Sequence, residues 1–152
     1  MKETDEELEK IRKNKLENML QKSKTNNGRT RIVIPVDSRT GIDSQLSEHF
    51  GRAPFFAVFE LDQNGEVFNQ KVVPNTSEHF GGTGFPPDRI LQLKPNAVIT
   101  SGMGTRALSR FQAARVAVLQ ANSSIPLQLI SAYNNNLLEE LTEGCHQARH
   151  KL

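Results

Sequence analysis

Short runs of β-branched and aromatic residues alternate with polar, turn-forming stretches from about residue 30 onward. Their lengths and composition predict five strands, at residues 31–37, 55–61, 66–73, 97–100 and 116–119. Asn64-Gly65, between the second and third runs, is typical of a tight hairpin, so these two strands are predicted to be antiparallel.

Helical patterns lie between and after the later strands. Pro86 and Pro87 occur where the first turn of a helix tolerates proline, and they predict a helix over residues 88–93. Further helices are predicted at residues 105–114, 126–133 and 137–141. A hairpin followed by β-α-β order predicts an α/β fold, in which a mixed β-sheet carries helices on its faces.

The first 27 residues differ in texture from the rest of the chain. Residues 6–22 are highly charged and have a thin apolar stripe at helical spacing, so they predict a helix outside the main domain. The predicted boundary follows Asn26-Asn27-Gly28, which gives a charged appendage at 1–27 and an α/β domain at 28–152. The appendage is either a solvated helix or one that docks on a partner or on a second copy of the chain, forming a homo-oligomer.

Composition narrows the class of protein. The chain has 152 residues, with 19 Lys+Arg against 17 Asp+Glu, so it lacks the basic excess that nucleic-acid binding needs. Its apolar runs are too short to cross a membrane, and its acidic start is unlike a secretory signal. The single cysteine, Cys145, excludes an intrachain disulfide. These features predict a cytoplasmic protein of one domain.

The pentapeptide Ser-Glu-His-Phe-Gly occurs twice, at residues 47–51 and 77–81. The flanking patterns differ, so the copies are two similar loops and not a duplicated unit. If both loops leave the same edge of the sheet, His49 and His79 would face one pocket, where an imidazole can bind a metal or donate to an anion. The second loop is rich in glycine, which lets backbone N–H groups approach a ligand closely. These glycines are Gly81, Gly82 and Gly84.

Several blocks in succession resemble the dinitrogenase iron–molybdenum cofactor biosynthesis family. They are residues 31–36 (RIVIPV), 47–56 (SEHFGRAPFF), 81–84 (GGTG) and 98–108 (VITSGMGTRAL). The resemblance covers about residues 29–145 and implies a ribonuclease-H-like topology. It implies a non-catalytic domain that binds an iron–sulfur or iron–molybdenum cluster, or its precursor, and exchanges it with a delivery or acceptor protein.

The resemblance also implies site residues. A histidine in the loop before the first long helix is associated with cluster binding in carrier members, and His79 occupies that loop here, while His49 lies in the other pentapeptide. Neither loop contains a cysteine, although thiolates are the usual cluster ligands. Near the end of the chain lie Cys145, His146 and His150. The two histidines have the i, i+4 spacing that suits a metal site; alternatively, they belong to a charged C-terminal tail.

Two other classes of function compete with this interpretation. Gly102-Met103-Gly104 follows a strand and opens a helix, a context typical of phosphate binding, and Arg106 would add charge. The alternative is therefore an anion- or nucleotide-binding regulatory domain, although no acidic residue ends the next strand. A nuclease would need several converging carboxylates; Asp37 ends the first strand, but the later strands supply no acidic partner.

Overall fold

A computed structural model describes residues 29–48, 50–76 and 86–142 of the chain. The strands are β1 Thr30–Val36, β2 Phe55–Leu61, β3 Val67–Pro74, β4 Ala97–Thr100 and β5 Ala117–Gln120. The helices are a 3₁₀-helix at Gly41–Asp43, α1 Pro86–Leu91, α2 Thr105–Ala113 and α3 Pro126–Asn134. All five predicted strands and three of the predicted helices are confirmed. The predicted helix at 6–22 lies outside the described residues.

The five strands form one sheet in the order β3-β2-β1-β4-β5. β1, β2 and β3 are antiparallel neighbours, whereas β4 runs parallel to β1 and β5 runs parallel to β4. A short turn connects β2 to β3, whereas the longer segment 37–54, which contains the 3₁₀-helix, connects β1 to β2. The helices α1 and α2 lie in the connections that lead to the parallel strands β4 and β5. This sheet confirms the predicted mixed α/β fold, and its strand order and directions are consistent with the ribonuclease-H-like topology that the resemblance implied.

Each face of the sheet carries its own hydrophobic core. On one face α3 packs on inward-facing strand residues that include Ile34, Phe59 and Ile99. On the other face α1 and α2 pack on Val33, Val58 and the neighbouring strand residues. Because both faces are covered, β1 and β4 are buried on both sides and read as continuous apolar runs.

The β2–β3 hairpin closes through Asp62 and Gly65. The Asp62 carboxylate accepts the backbone N–H groups of Asn64 and Glu66 at 2.8 and 3.0 Å, and Gly65 takes a left-handed φ of +81°. Asn134 of α3 donates its side-chain amide to the Gly65 carbonyl at 2.8 Å. The Asn-Gly signal therefore marks a real turn, which is fastened to α3 at the end of the sheet where β1 begins.

The predicted helix at 137–141 is wrong. α3 ends because Asn136 adopts a left-handed φ of +56°, and the chain then runs extended beside β5. Gln120 donates its N–H to the Glu139 carbonyl, and Leu141 donates to Val118, each at 2.8 Å. The leucine and glutamate residues have good helical propensity, but β5 needs partners along its outer edge, and this tertiary demand overrides the local preference.

Two polar features of the fold affect its stability. Arg31 binds Glu60 at 2.6 Å, and the Asn69 amide and this guanidinium hold the pKa of the Glu60 carboxyl below its usual range. On the α3 face, burial raises the pKa of the Tyr133 phenol, and the Thr30 hydroxyl offsets a smaller part of that rise. Neither hydroxyl has a hydrogen bond of good geometry to any described residue.

Candidate ligand site at the carboxyl end of the sheet

The parallel strands define one end of the sheet as the natural place for a ligand. β1, β4 and β5 all end there, and we call it the carboxyl end. The register Val36↔Phe55 and Phe55↔Pro74 places the start of β2 and the end of β3 at the same end. In open α/β sheets ligands bind in the crevice outside the carboxyl ends of the strands.

Both histidine-containing loops leave the sheet at the carboxyl end. Ser47, two residues before His49, donates its N–H to the Pro35 carbonyl of β1 at 2.9 Å. The loop of His79 starts after Thr76, next to the end of β3, and finishes at the start of α1. The sequence left open whether the two loops share an edge, and the fold brings their attachment points together.

The candidate residues within these loops lie outside the described part of the chain. They are His49, His79, Gly81, Gly82 and Gly84. Their assignment to a common pocket therefore stays a prediction that rests on where the loops are attached.

An aromatic anchor holds the first loop against the α1/α2 face. Phe50, the neighbour of His49, is 3% exposed. Its ring meets Phe111 of α2 edge-on at 5.6 Å and Phe56 of β2 at 5.7 Å. Burial of this ring holds the first loop against this face of the sheet at residue 50.

The turn between β4 and α2 is held rigidly in place. Thr100 is fully buried at the end of β4 and donates its hydroxyl to the Gly102 carbonyl at 3.2 Å. Met103 is buried in the core between the sheet and α2. These two contacts fix the backbone of Gly102 and Gly104 on either side of Met103.

Gly102 and Gly104 have no conformational or packing reason to be glycine. Neither has a positive φ, and a Cβ atom built on either would meet nothing within 4 Å among the described residues. The same open space surrounds Gly51 in the first loop. By contrast, Gly41 and Gly65 have positive φ and close neighbours. Three glycines at the carboxyl end thus leave space that side chains would fill.

The N-terminus of α2 presents donors to this space. Gly104 is the N-cap residue and supplies no side-chain acceptor, although helix geometry leaves the first N–H groups without intrahelical partners. The hydroxyl oxygen of Thr105, the first helical residue, is buried and has no hydrogen-bond partner among the described residues. The helix dipole favours negative charge at such a position.

Arg106 is exposed in the first turn of α2, as its candidate role requires. It lines a surface groove of about 490 Å³ between α1 and α2. Two other charged residues of that groove, Asp88 and Arg110, are paired with each other at 2.7 Å. Arg106 therefore borders the α1/α2 surface near the N-terminus of α2.

Charge alone does not select the ligand of this end. Exposed residues of both signs occur in the one segment that connects β1 to β2, namely Asp37, Arg39, Asp43, Glu48 and Arg52. Within residues 29–48, 50–76 and 86–142, no three His, Cys, Asp or Glu side chains come together to hold a metal ion. A metal held here by three such side chains would therefore need at least one ligand from outside the described residues.

Thr100, Thr105 and Asn75 were not among the sequence candidates. Thr105 follows the glycine-containing turn, and its place at the first helical position was a usable signal. Nothing local distinguishes Asn75 from an ordinary turn asparagine, because its role depends on hydrogen bonds to residues 14 to 24 positions away.

The geometry defines an α/β domain with a mixed sheet whose carboxyl end is lined by glycines and by the N-terminus of α2. The sequence matches the family described as dinitrogenase iron-molybdenum cofactor over residues 30–136. The chain belongs to this family, which confirms the resemblance seen in its sequence blocks.

Individual relatives agree with this assignment. Uncharacterized protein MJ0580 of Methanocaldococcus jannaschii is 30% identical over 113 residues, covering 72% of this chain and 90% of that protein. The crystal structure of PH0822 has a TM-score of 0.62 at 26% identity and covers 74% of this chain and 97% of that one. The apo form of the orange protein from Desulfovibrio gigas has a TM-score of 0.62 and covers 75% and 94%; at 19% identity it shows a shared fold alone.

None of the helices in the described part of the chain is long and apolar enough to span a membrane.

Proposed function

We propose that this protein is a non-catalytic carrier domain that binds an iron–sulfur or iron–molybdenum type cluster, or its precursor, at the carboxyl end of the sheet. His79 and His49 are the proposed metal ligands. The proposed lining residues are Gly81, Gly82, Gly84, Gly102, Gly104 and Arg106. The observation that carries the proposal is the fixed turn at 102–104, whose two glycines leave open space beside a helix N-terminus.

The chemistry of such a cargo suits this turn. Cluster sulfides carry negative charge and accept hydrogen bonds, so they are favoured where backbone N–H groups and the positive end of a helix dipole converge. Glycine lets the backbone approach the cluster without a Cβ atom between them.

The ligand set suits temporary binding. With one cysteine in the whole chain, at most one thiolate per chain can bind iron, whereas stable clusters usually have four. Neutral imidazoles and backbone donors would hold the cargo through fewer and weaker bonds. A carrier needs this property because it must release the cargo to an acceptor protein.

Family membership supports the class of cargo. The family takes its description from the iron–molybdenum cofactor of dinitrogenase. Direct measurement of bound metal tests this class of cargo.

The proposal is tested by adding ferrous iron and sulfide to apo protein without oxygen and measuring absorbance and bound iron. Wild type is compared with His79→Ala and His49→Ala, and with His146→Ala and His150→Ala as matched histidine controls. We expect the His79 and His49 variants to lose at least about tenfold in affinity and the His146 and His150 variants to lose none. Replacing even a residue that only supports a metal ligand typically costs about 10- to 100-fold in metal affinity.

The pH dependence of binding provides a second readout. A protonated imidazole has no lone pair for metal, so binding should weaken below the unperturbed histidine pKa of about 6.5. Unchanged binding in both loop variants would remove His49 and His79 from the site. Loss of binding in the His146 and His150 variants alone would move the site to the C-terminal tail.

The nucleotide-binding alternative uses the same turn but different side chains. A nucleotide would depend on the helix N-terminus and Arg106, with the histidines as bystanders. We expect ATP and NAD at millimolar concentration to leave the melting temperature unchanged. A clear thermal shift that Arg106→Ala abolishes and His79→Ala leaves intact would replace the carrier function with nucleotide binding.

The remaining aspects of the function follow from the same proposal. A carrier requires a delivery or acceptor protein, and the charged segment 1–27 is proposed as the part that meets a partner or a second copy of the chain. A cytoplasmic location fits the single cysteine, since oxygen-sensitive clusters and free thiols both persist in a reducing compartment.

A further inference from the structure

We infer that Asn75 is a positioning residue that holds the two histidine-containing loops and α1 as one unit. This inference rests on the proposed function, because its consequence is the geometry of the metal site. Asn75 directly follows β3 at the carboxyl end and stands two residues before the second pentapeptide.

Asn75 binds the first histidine-containing loop by donating hydrogen bonds to three backbone carbonyl groups of that loop. Its side-chain amide donates to the carbonyl oxygens of Gly51 at 3.3 Å and Ala53 at 2.9 Å. Its backbone N–H donates to the Pro54 carbonyl at 3.0 Å. The segment that follows His49 is therefore bound to the residue from which the His79 loop departs.

The same side chain also reaches α1. Arg89 donates to the Asn75 side-chain oxygen at 2.6 Å and to its backbone carbonyl at 3.4 Å. Since the His79 loop runs from Asn75 to the start of α1, this contact joins the two ends of that loop. Three segments thus meet at one side chain.

The hydrogen bonds at this position use both halves of the asparagine side chain, its donor nitrogen and its acceptor oxygen. Arginine only donates, and backbone carbonyls only accept, so the residue between them must present an acceptor on one side and donors on the other. An aspartate would satisfy Arg89 but place a negative oxygen against the carbonyls of Gly51 and Ala53. Alanine would satisfy neither side, so the two variants separate the loop contacts from the helix contact.

The metal site depends on this arrangement for its dimensions. Two ligands from different loops bind one cluster only if the distance between them is fixed. Replacing a residue that holds a metal ligand in place, without touching the metal itself, commonly weakens metal affinity by about 10- to 100-fold. We therefore expect Asn75→Asp and Asn75→Ala each to weaken ferrous iron and sulfide binding by at least tenfold and to change the absorption spectrum of the bound iron.

The control is Asn134→Ala. Asn134 likewise donates its side-chain amide to a loop carbonyl, that of Gly65 at 2.8 Å, but at the opposite end of the sheet. This variant should melt lower, much as Asn75→Ala does, and still bind iron and sulfide with the wild-type spectrum. Arg89→Met, alone and combined with Asn75→Ala, should give non-additive losses of affinity, as expected for members of one network.

Amide hydrogen exchange tests the inference without any metal. In Asn75→Ala, exchange should speed up at residues 50–54 and in α1 while α3 keeps its protection. Wild-type exchange at residues 50–54 would overturn the inference whether or not the protein binds iron. Faster exchange with unchanged iron affinity and spectrum would also overturn it but leave the carrier function standing. Failure of wild type to bind iron and sulfide would overturn both.

Discussion

Replacing Gly102 with alanine separates the stability of the fold from ligand binding. Gly102 has no positive φ, and a Cβ atom there meets nothing within 4 Å in the described part of the chain. A glycine-to-alanine change at a compatible backbone reduces the entropy of the unfolded chain and stabilises by about 0.4–1 kcal/mol. We therefore expect Gly102→Ala to melt at or slightly above the wild-type temperature.

Binding should respond in the opposite direction. The added methyl group would occupy the space beside the α2 N-terminus and push a cluster away from the backbone donors. Loss of one hydrogen bond to a charged acceptor costs about 1.5–3 kcal/mol, which corresponds to roughly a 10- to 100-fold weaker affinity. Anaerobic titration with ferrous iron and sulfide, together with thermal melting of the same samples, measures both effects.

Gly65→Ala is the control variant, for which the opposite changes in stability and in affinity are expected. Gly65 has a φ of +81°, and an added Cβ would lie 2.6 Å from the Asn134 side-chain oxygen. Left-handed backbone alone costs alanine about 1–2 kcal/mol, so this variant should lose stability and keep its affinity. The reasoning is refuted if Gly102→Ala binds as wild type does, or if it unfolds more easily by over about 1 kcal/mol, beyond the range allowed by an unhindered site.

Three further predictions concern stability. Glu60→Gln should lower the free energy of unfolding by about 0.5–1 kcal/mol at neutral pH, since it breaks the ion pair with Arg31. Because folding lowers the pKa of the Glu60 carboxyl, the wild-type protein should lose this extra stability as the pH falls below about 4.5, which acid unfolding measures. Tyr133→Phe should raise the free energy of unfolding by up to about 1 kcal/mol in denaturant titrations, because it removes a buried hydroxyl with no partner among the described residues. This gain should grow above pH 10, because there the tyrosine phenol ionises in the unfolded chain and not in the folded protein. A chain without residues 1–27 should melt as cooperatively as the full chain; a loss of several kcal/mol would show that this segment packs on the core.

The sequence predicted the strands well because each strand is also a local pattern. β1 and β4 are short, β-branched and bounded by polar residues, and the turn at Asn64-Gly65 needs only local backbone preferences. The helix at 137–141 failed for the opposite reason. Its residues favour a helix, and only the unpaired edge of β5 makes the extended form better.

The site was partly predictable. The glycine-containing turn and Arg106 were visible in the sequence, but whether Gly102 serves a tight turn or an open space depends on its φ and on distant neighbours. Likewise the importance of Asn75 was hidden, since the carbonyls and the guanidinium it joins come from separate segments.

Local composition by itself determined the five strands, three of the helices and the α/β class, and the succession of sequence blocks determined the family. The register of the strands in the sheet decided which loops lie next to each other and therefore where the candidate site is. Pairing of Val36 with Phe55 and of Phe55 with Pro74 brings loops 30 residues apart in sequence to one end of the sheet. Their convergence depends on hydrogen bonds between strands that are distant in the chain, and a pattern of hydrophobic residues within one strand carries no record of such partners.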